Sequence, residues 1–272
     1  MGADIKSLRS RIRSVDSTLH LTKAMGLVAA SKIRRATRTM TRSREYAEAM
    51  DDVVAVLRSS PECARTAYMQ PGGEGTRVVV IAGDRGLAGG YNANVFRLAA
   101  TVPEAEFIPI GKRACERYGK PVVSSEKYPA TEAKKLADEL CRDFREGKFG
   151  RLGILYTRYR SMMSQEATLL WVLPLEKQAK EEQAAEKGEA APVFEPDEQT
   201  VLSAAVPTYV SGLLTACVRE SYASEVAARR MAMDSAGKNA QEMIDNLQLQ
   251  YNRARQRSIT QEITEIVAGS GL

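Results

Sequence analysis

The stretch IKSLRSRIRSVDSTLHLTKAMGLVAASKIRRATRTMTRSREYAEAMDDVVAVL, Ile5 to Leu57, decides the fold, because it contains no proline and returns to an apolar residue at one fixed interval. Steps of alternately three and four residues from Ile5 land on Leu8, Ile12, Val15, Leu19, Thr22, Gly26, Ala29, Ile33, Ala36, Met40, Ser43, Ala47, Met50, Val54 and Leu57. Only Thr22, Gly26 and Ser43 break the apolar run. A 3.5-residue repeat held this long is a coiled-coil seam and imposes a left-handed supercoil. At 1.5 Å per residue, the Ile5–Leu57 stretch of an N-terminal helix over residues 1–60 reaches roughly 80 Å.

Such a helix needs a partner to cover its stripe. All ten prolines fall between Pro61 and Pro207, and a proline inside a helix costs about 3 kcal/mol. The spacing therefore predicts a second long helix over 207–272, with Met233, Ala236, Ala240, Met243, Leu247, Tyr251 and Ala254 on one stripe. The two arms pair antiparallel if the middle is a compact domain whose ends lie together.

That middle, residues 75–175, alternates strand and helix patterns. Arg77–Ala82, Glu106–Ile110, Leu152–Thr157 and Glu166–Leu173 read as strands, and Asn92–Ala100, Lys112–Tyr118 and Thr131–Arg145 as helices. The fold class is thus α/β plus a long antiparallel coiled coil, with a central doubly wound, mostly parallel sheet covered on both faces. Residues 176–198 carry eight acids and three lysines and read as a mobile acidic insertion.

Composition narrows the function. Cys63, Cys115, Cys141 and Cys217 form no metal-ligand spacing, so reduced thiols in a cytoplasmic setting are expected. His20 is the only histidine and sits on the flank of the helix seam, which leaves no partner for a hydrolytic triad or zinc site. The paired acids Glu181 and Glu182 belong to the polar insertion, where a solvated run explains them. The opening residues MGADIKSLRS lack an apolar core, so no leader is expected. Gln199 to Val218 is free of charge for twenty residues, but Pro207, Gly212 and its hydroxyl residues make it a poor membrane span.

The loop Gly83-Asp84-Arg85-Gly86-Leu87-Ala88-Gly89-Gly90-Tyr91-Asn92-Ala93-Asn94 stands where an open α/β sheet would bind a ligand. It lacks both GxGxxG spacing and a GK[ST] ending, so a tight strand-to-helix turn is favoured over a phosphate cradle. Neither cofactor, metal nor catalytic residue is expected. Between Met1 and Glu45, eleven Lys or Arg face only three acids. This basic arm fits nucleic acid, anionic lipid or an acidic protein surface, and leaves a basic coiled-coil nucleic-acid-binding or scaffold protein as the alternative function.

The terminal segments resolve that choice by resemblance. Ile12-Arg13-Ser14-Val15, Leu21-Thr22-Lys23-Ala24-Met25 and Val28-Ala29-Ala30-Ser31-Lys32 resemble the N-terminal signature of the ATP synthase gamma subunit family. Met231-Ala232-Met233-Asp234-Ser235-Ala236, Lys238-Asn239-Ala240 and Tyr251–Val267 are similar to its C-terminal one, and GDRGLAGGYNAN to its central loop, with Ala88 where many members carry cysteine. Gly26-Leu27 departs from the more usual Lys-Met.

The resemblance implies a central rotor shaft that does no covalent chemistry. It implies as partners the alpha and beta subunits of the catalytic ring, the epsilon subunit and the membrane c-ring, with no nucleic acid and no membrane insertion. The location it implies is peripheral, on the cytoplasmic face of the bacterial plasma membrane. Carried over by motif, Lys23 and Met25 would contact a beta subunit, and Arg255, Gln256, Thr260 and Glu262 the upper ring. The regulatory cysteine insert of chloroplast members is missing, so no thiol switch is expected.

Overall fold

The computed structural model describes residues 2–176 and 194–269. Along the chain run α1 (Gly2–Ser59), a 3-10 turn (Cys63–Arg65), β1 (Thr76–Ile81), α2 (Tyr91–Ala99), β2 (Glu106–Ile110), α3 (Lys112–Tyr118), α4 (Ala130–Arg145), β3 (Arg151–Tyr159), β4 (Gln165–Leu173) and α5 (Glu198–Gly269). Two compact units result: Met1–Ala30 with Arg229–Leu272, and Ser31–Ala228. Most of the proposed acidic insertion, residues 177–193, including Glu181 and Glu182, lies outside the described residues.

The first unit is a helix pair. Gly26 of α1 lies against Met233 of α5, and Thr22 against Gly237, while Leu19 packs with Ala240 and Ile244 and with half-buried Val15. The partner number falls as the α1 number rises, so the pairing is antiparallel. Every seam position from Ile5 to Leu57, in both units, is buried or half-buried.

On α5 the expected stripe is corrected. Met243 is 49% exposed and Ile244 only 6%. The seam runs Met233, Gly237, Ala240, Ile244, Leu247, Tyr251 and Ala254, in regular four-three steps. Gly237 has no side chain to signal a buried position; once it is passed over, the phase is misread by one residue at Met243.

The second unit is built on a four-stranded sheet of order β2-β1-β3-β4. β1 pairs parallel with β2 and β3, through Val78↔Phe107 and Val79↔Ile154, and β4 returns antiparallel on β3. Period-2 alternation distributes the side chains. Val78, Val80 and Leu155 meet Val95 and Ala99 of α2 and Ala114 of α3. Val79, Ile81 and Ile154 meet α4 and the segments of α1 and α5 in this unit, through Leu140, Phe144, Leu57, Leu202 and Leu214.

α5 starts at Glu198, nine residues before the expected 207, and Pro207 lies inside it. Asp197 explains the early start: its carboxylate accepts bonds from the Thr200 N–H (2.8 Å) and hydroxyl (2.7 Å), and its carbonyl accepts from Val201 N–H. The backbone bond that Pro207 cannot donate is offset by packing, since Leu202, Val206, Val210 and Leu214 are at most 1% exposed. The uncharged run Gln199–Val218 is therefore largely core. All four cysteines are free and buried. Burial pushes the Cys63, Cys141 and Cys217 thiols up, Cys141 to about 12, which keeps them protonated and unreactive.

Candidate functional site: a filled crevice and two exposed helix faces

In an open α/β sheet a ligand binds beyond the carboxyl ends of the parallel strands, where strand order reverses. Here that point follows β1, which has β2 on one side and β3 on the other, and the GDRGLAGGYNAN loop begins there. The crevice is occupied by α5. A Cβ on Gly83 would stand 2.8 Å from the Glu225 carboxyl carbon. The Tyr91 hydroxyl donates to the Ser221 carbonyl (3.0 Å), Thr157 N–H donates to Ser221 Oγ (3.0 Å), and Ser224 Oγ donates to the Thr157 carbonyl (3.1 Å). Ser221, Ser224 and Glu225 are at most 2% exposed. The polar groups that might have cradled a phosphate are spent on holding a helix.

Asp84 organises the loop. It accepts from the N–H groups of Lys112 (3.0 Å), Ser125 (2.9 Å) and Glu126 (3.1 Å) and from the Ser124 hydroxyl. Burial pushes its carboxyl up, and these four donors, Ser124 foremost, outweigh it and hold the group below the usual range. The loop so fixed presents Glu126 to both long helices: Glu126 accepts from Lys32 Nζ of α1 (2.7 Å) and from the Tyr222 hydroxyl of α5 (2.9 Å). The Lys32 bond holds the Glu126 carboxyl low against burial, with Tyr222 adding to it.

A second clamp stands nearby. Buried Glu220 accepts from Arg44 Nη2 of α1 (2.8 Å) and from the Tyr159 N–H at the end of β3 (2.9 Å). Where α1 ends and α5 begins, Ser60 bonds Glu198, and Gln199 Nε2 donates to the Glu62 carbonyl (2.8 Å). Segments of both helices are thus tied to the sheet domain. Sequence reading found none of these clamps. Lys32 and Arg44 do flank seam positions Ile33 and Ser43, where interhelical charges are usual, but nothing in the pattern names Glu126 or Glu220.

The expected contact residues lie on the helix pair. Lys23 is exposed and Met25 half-buried. Lys23 has no ion-pair partner among the described residues. Arg255, Gln256, Thr260 and Glu262 share the last turns of α5, all exposed. Thr260 Oγ1 donates to the Gln256 carbonyl (2.9 Å) and Ser258 Oγ to Glu262 Oε1 (3.2 Å). The two groups do not converge, since the turn holding Lys23 and Met25 lies against Met233 and Gly237, several turns before Arg255. His20 is solvent-facing, 3.8 Å from Asp16.

The family described as ATP synthase matches residues 4–271. The ATP synthase gamma chain of Ruminococcus albus is 37% identical over 285 residues, covering 98% of each chain, and that of a Picosynechococcus species 35% identical over 309 residues, again 98% of each. This chain belongs to the ATP synthase gamma chain family. A chain from the Euglena gracilis mitochondrial ATP synthase (OSCP, F1 and c-ring, rotational state 3) has the same fold, with TM-score 0.65 over 100% of this gamma chain and 97% of its own length at 19% identity. Gamma chains are non-catalytic subunits, and the clamps of this one hold helices in place.

Proposed function

We infer that this gamma chain is the central rotor shaft of a bacterial F-type ATP synthase, carrying torque between a proton-driven c-ring and the catalytic sites of an alpha/beta ring. The reading is carried by the filled crevice: where open α/β sheets hold a ligand, this one grips segments of α1 and α5, the two helices whose other segments form the antiparallel pair. Torque applied to the sheet domain reaches α1 through Glu126–Lys32 and Glu220–Arg44, and α5 through Tyr222 and Ser221. The partners are the alpha and beta subunits, the epsilon subunit and the c-ring, and the location is peripheral, on the cytoplasmic face of the plasma membrane.

An asymmetric rod inside a pseudo-threefold ring offers each beta subunit a different face, so the three nucleotide sites differ at any instant. Moving one site from 1:99 to 99:1 between two forms takes about 5.5 kcal/mol of differential contact energy. Lys23 and Met25 supply part of it against a beta subunit, because an exposed cation without a partner is free to pair with a carboxylate. Arg255, Gln256, Thr260 and Glu262 meet the upper ring, with Ile259, Ile263, Ile266 and Val267 exposed beside them for an apolar collar.

In membranes reconstituted with the Lys23→Ala chain, the ratio of proton pumping to ATP hydrolysis falls while assembly at one gamma per three alpha/beta pairs is kept. An unchanged ratio removes Lys23 from the coupling contacts, and failure to copurify with alpha and beta removes the shaft reading itself. The other reading of the basic arm, nucleic-acid binding, would require steep salt-dependent affinity for DNA or RNA.

A further inference from the structure

A cavity of about 580 Å³ opens in the sheet-bearing unit between α1, α5 and the start of α4. Its size suits a small ligand, and its lining is uniform in charge. Arg42 comes from α1, Lys134 from α4 and Arg219 from α5, and among the described residues no carboxylate lines the space. None of the three cations pairs with a carboxylate among the described residues. Three like charges on one cavity repel each other, and the arrangement is relieved by an anion between them.

We propose that this cavity binds an organic phosphate. Phosphate chemistry is favoured over a carboxylate because the cations are accompanied by hydroxyls, Ser43, Thr131 and Ser211 among them, that can donate to several oxygens at once. An attached organic portion is favoured because the wall between the helices is the ring of Tyr46, which lies flush on α5 where Gly212 leaves room: a Cβ there would stand 2.8 Å from the ring. The backbone N–H groups at the start of α4, whose first position follows Pro129 and has no side-chain cap, add to the field without being needed for it. The phosphate can belong to a free nucleotide or to a lipid headgroup, and Lys32, Arg44, Glu126 and Glu220 of the clamps are not part of the lining.

The full-length chain at low ionic strength is titrated calorimetrically with ATP, and separately floated with phosphatidylglycerol vesicles against phosphatidylcholine controls. One saturable site is expected in at least one arm, and the arm identifies the source. Arg42→Gln and Lys134→Gln each weaken it about ten-fold, whereas Lys120→Gln, at an exposed position two residues past the end of α3, leaves it unchanged. Unaltered thermal unfolding of the variants shows that the fold persists. Binding in neither arm, or equal weakening by Lys120→Gln, overturns the proposal.

Discussion

Along α5 the manner of burial changes between the two units. From Leu202 to Ala227 the helix is covered on several sides, by α1 on one and by the sheet domain on others, and Ala223, Ser224, Glu225, Val226 and Ala227 are buried in succession. From Met233 onward only Met233, Ala240, Ile244 and Leu247 are buried among the described residues. A two-helix pair constrains a narrow stripe and tolerates much around it; a helix built into a domain is constrained on several faces. Substitutions in the two units should therefore differ in size and even in sign.

The largest effect is expected at Gly111, in the sheet-bearing unit. Its φ is +99°, and an added Cβ would stand 2.0 Å from the Ala82 carbonyl oxygen, an atom held by the backbone of the crevice loop. Gly111→Ala has no side chain to push aside, so it should cost about 3–4 kcal/mol in chemical denaturation. A loss under about 1 kcal/mol would mean that the loop after β1 is not fixed.

Next comes Glu220→Ala, which strips a buried acceptor from the Tyr159 N–H and leaves Arg44 without its partner. The expected cost is about 2–3 kcal/mol, since the half-buried N–H loses its acceptor while Arg44 can rehydrate. Asp234→Ala in the helix pair removes only a half-exposed i, i+4 partner of Arg230 (3.0 Å), and should cost under about 0.5 kcal/mol. Equal costs would erase the contrast between the units.

This contrast also explains what could be read in advance. The α1 seam was legible at every step because a two-helix contact depends on period alone, and period is visible even where Thr22 or Gly26 interrupts it. The strands were legible to within two residues at either end because β1 and β3 bury both faces and β2 and β4 are short apolar runs beside them. Glu126, Glu220 and Asp84 were not, since a polar residue in a loop or on a helix flank looks the same whether it is solvated or clamps two elements from distant parts of the chain. Pro207 misled for a related reason: propensity placed a boundary there, and tertiary packing overrode it. The Met243 phase error shows the limit of period itself when the marker residue is glycine.

Acid should loosen the clamps. Asp84 and Glu126 sit below their usual carboxyl values, so their contribution is complete above the unfolded range of about 3.9 to 4.3. It is lost as pH falls through the lowered folded values. Melting temperature should drop between pH 5 and pH 3, and Asp84→Asn should flatten part of that slope while lowering the plateau. Identical slopes in the two proteins would show that Asp84 is not held ionised by its four donors.

The last effect is expected in the helix pair, with the opposite sign. Gly26 is buried in the seam at ordinary helical φ, and a Cβ there would meet Arg230 Nη1 at 3.4 Å, Met233 Cβ at 3.6 Å and Asp234 Oδ1 at 3.8 Å. These are normal contacts, one with the tip of a flexible side chain. Gly26→Ala therefore removes backbone freedom from the unfolded chain without strain in the folded one, a gain of up to about 1 kcal/mol. Hydrogen exchange of the amides around residue 26 should slow about five-fold, with no change in the sheet. Faster exchange would mean that the helices approach too closely for a methyl group. Unchanged exchange combined with altered proton coupling would mean that the glycine is there for compliance, and that the pair twists under load at this turn.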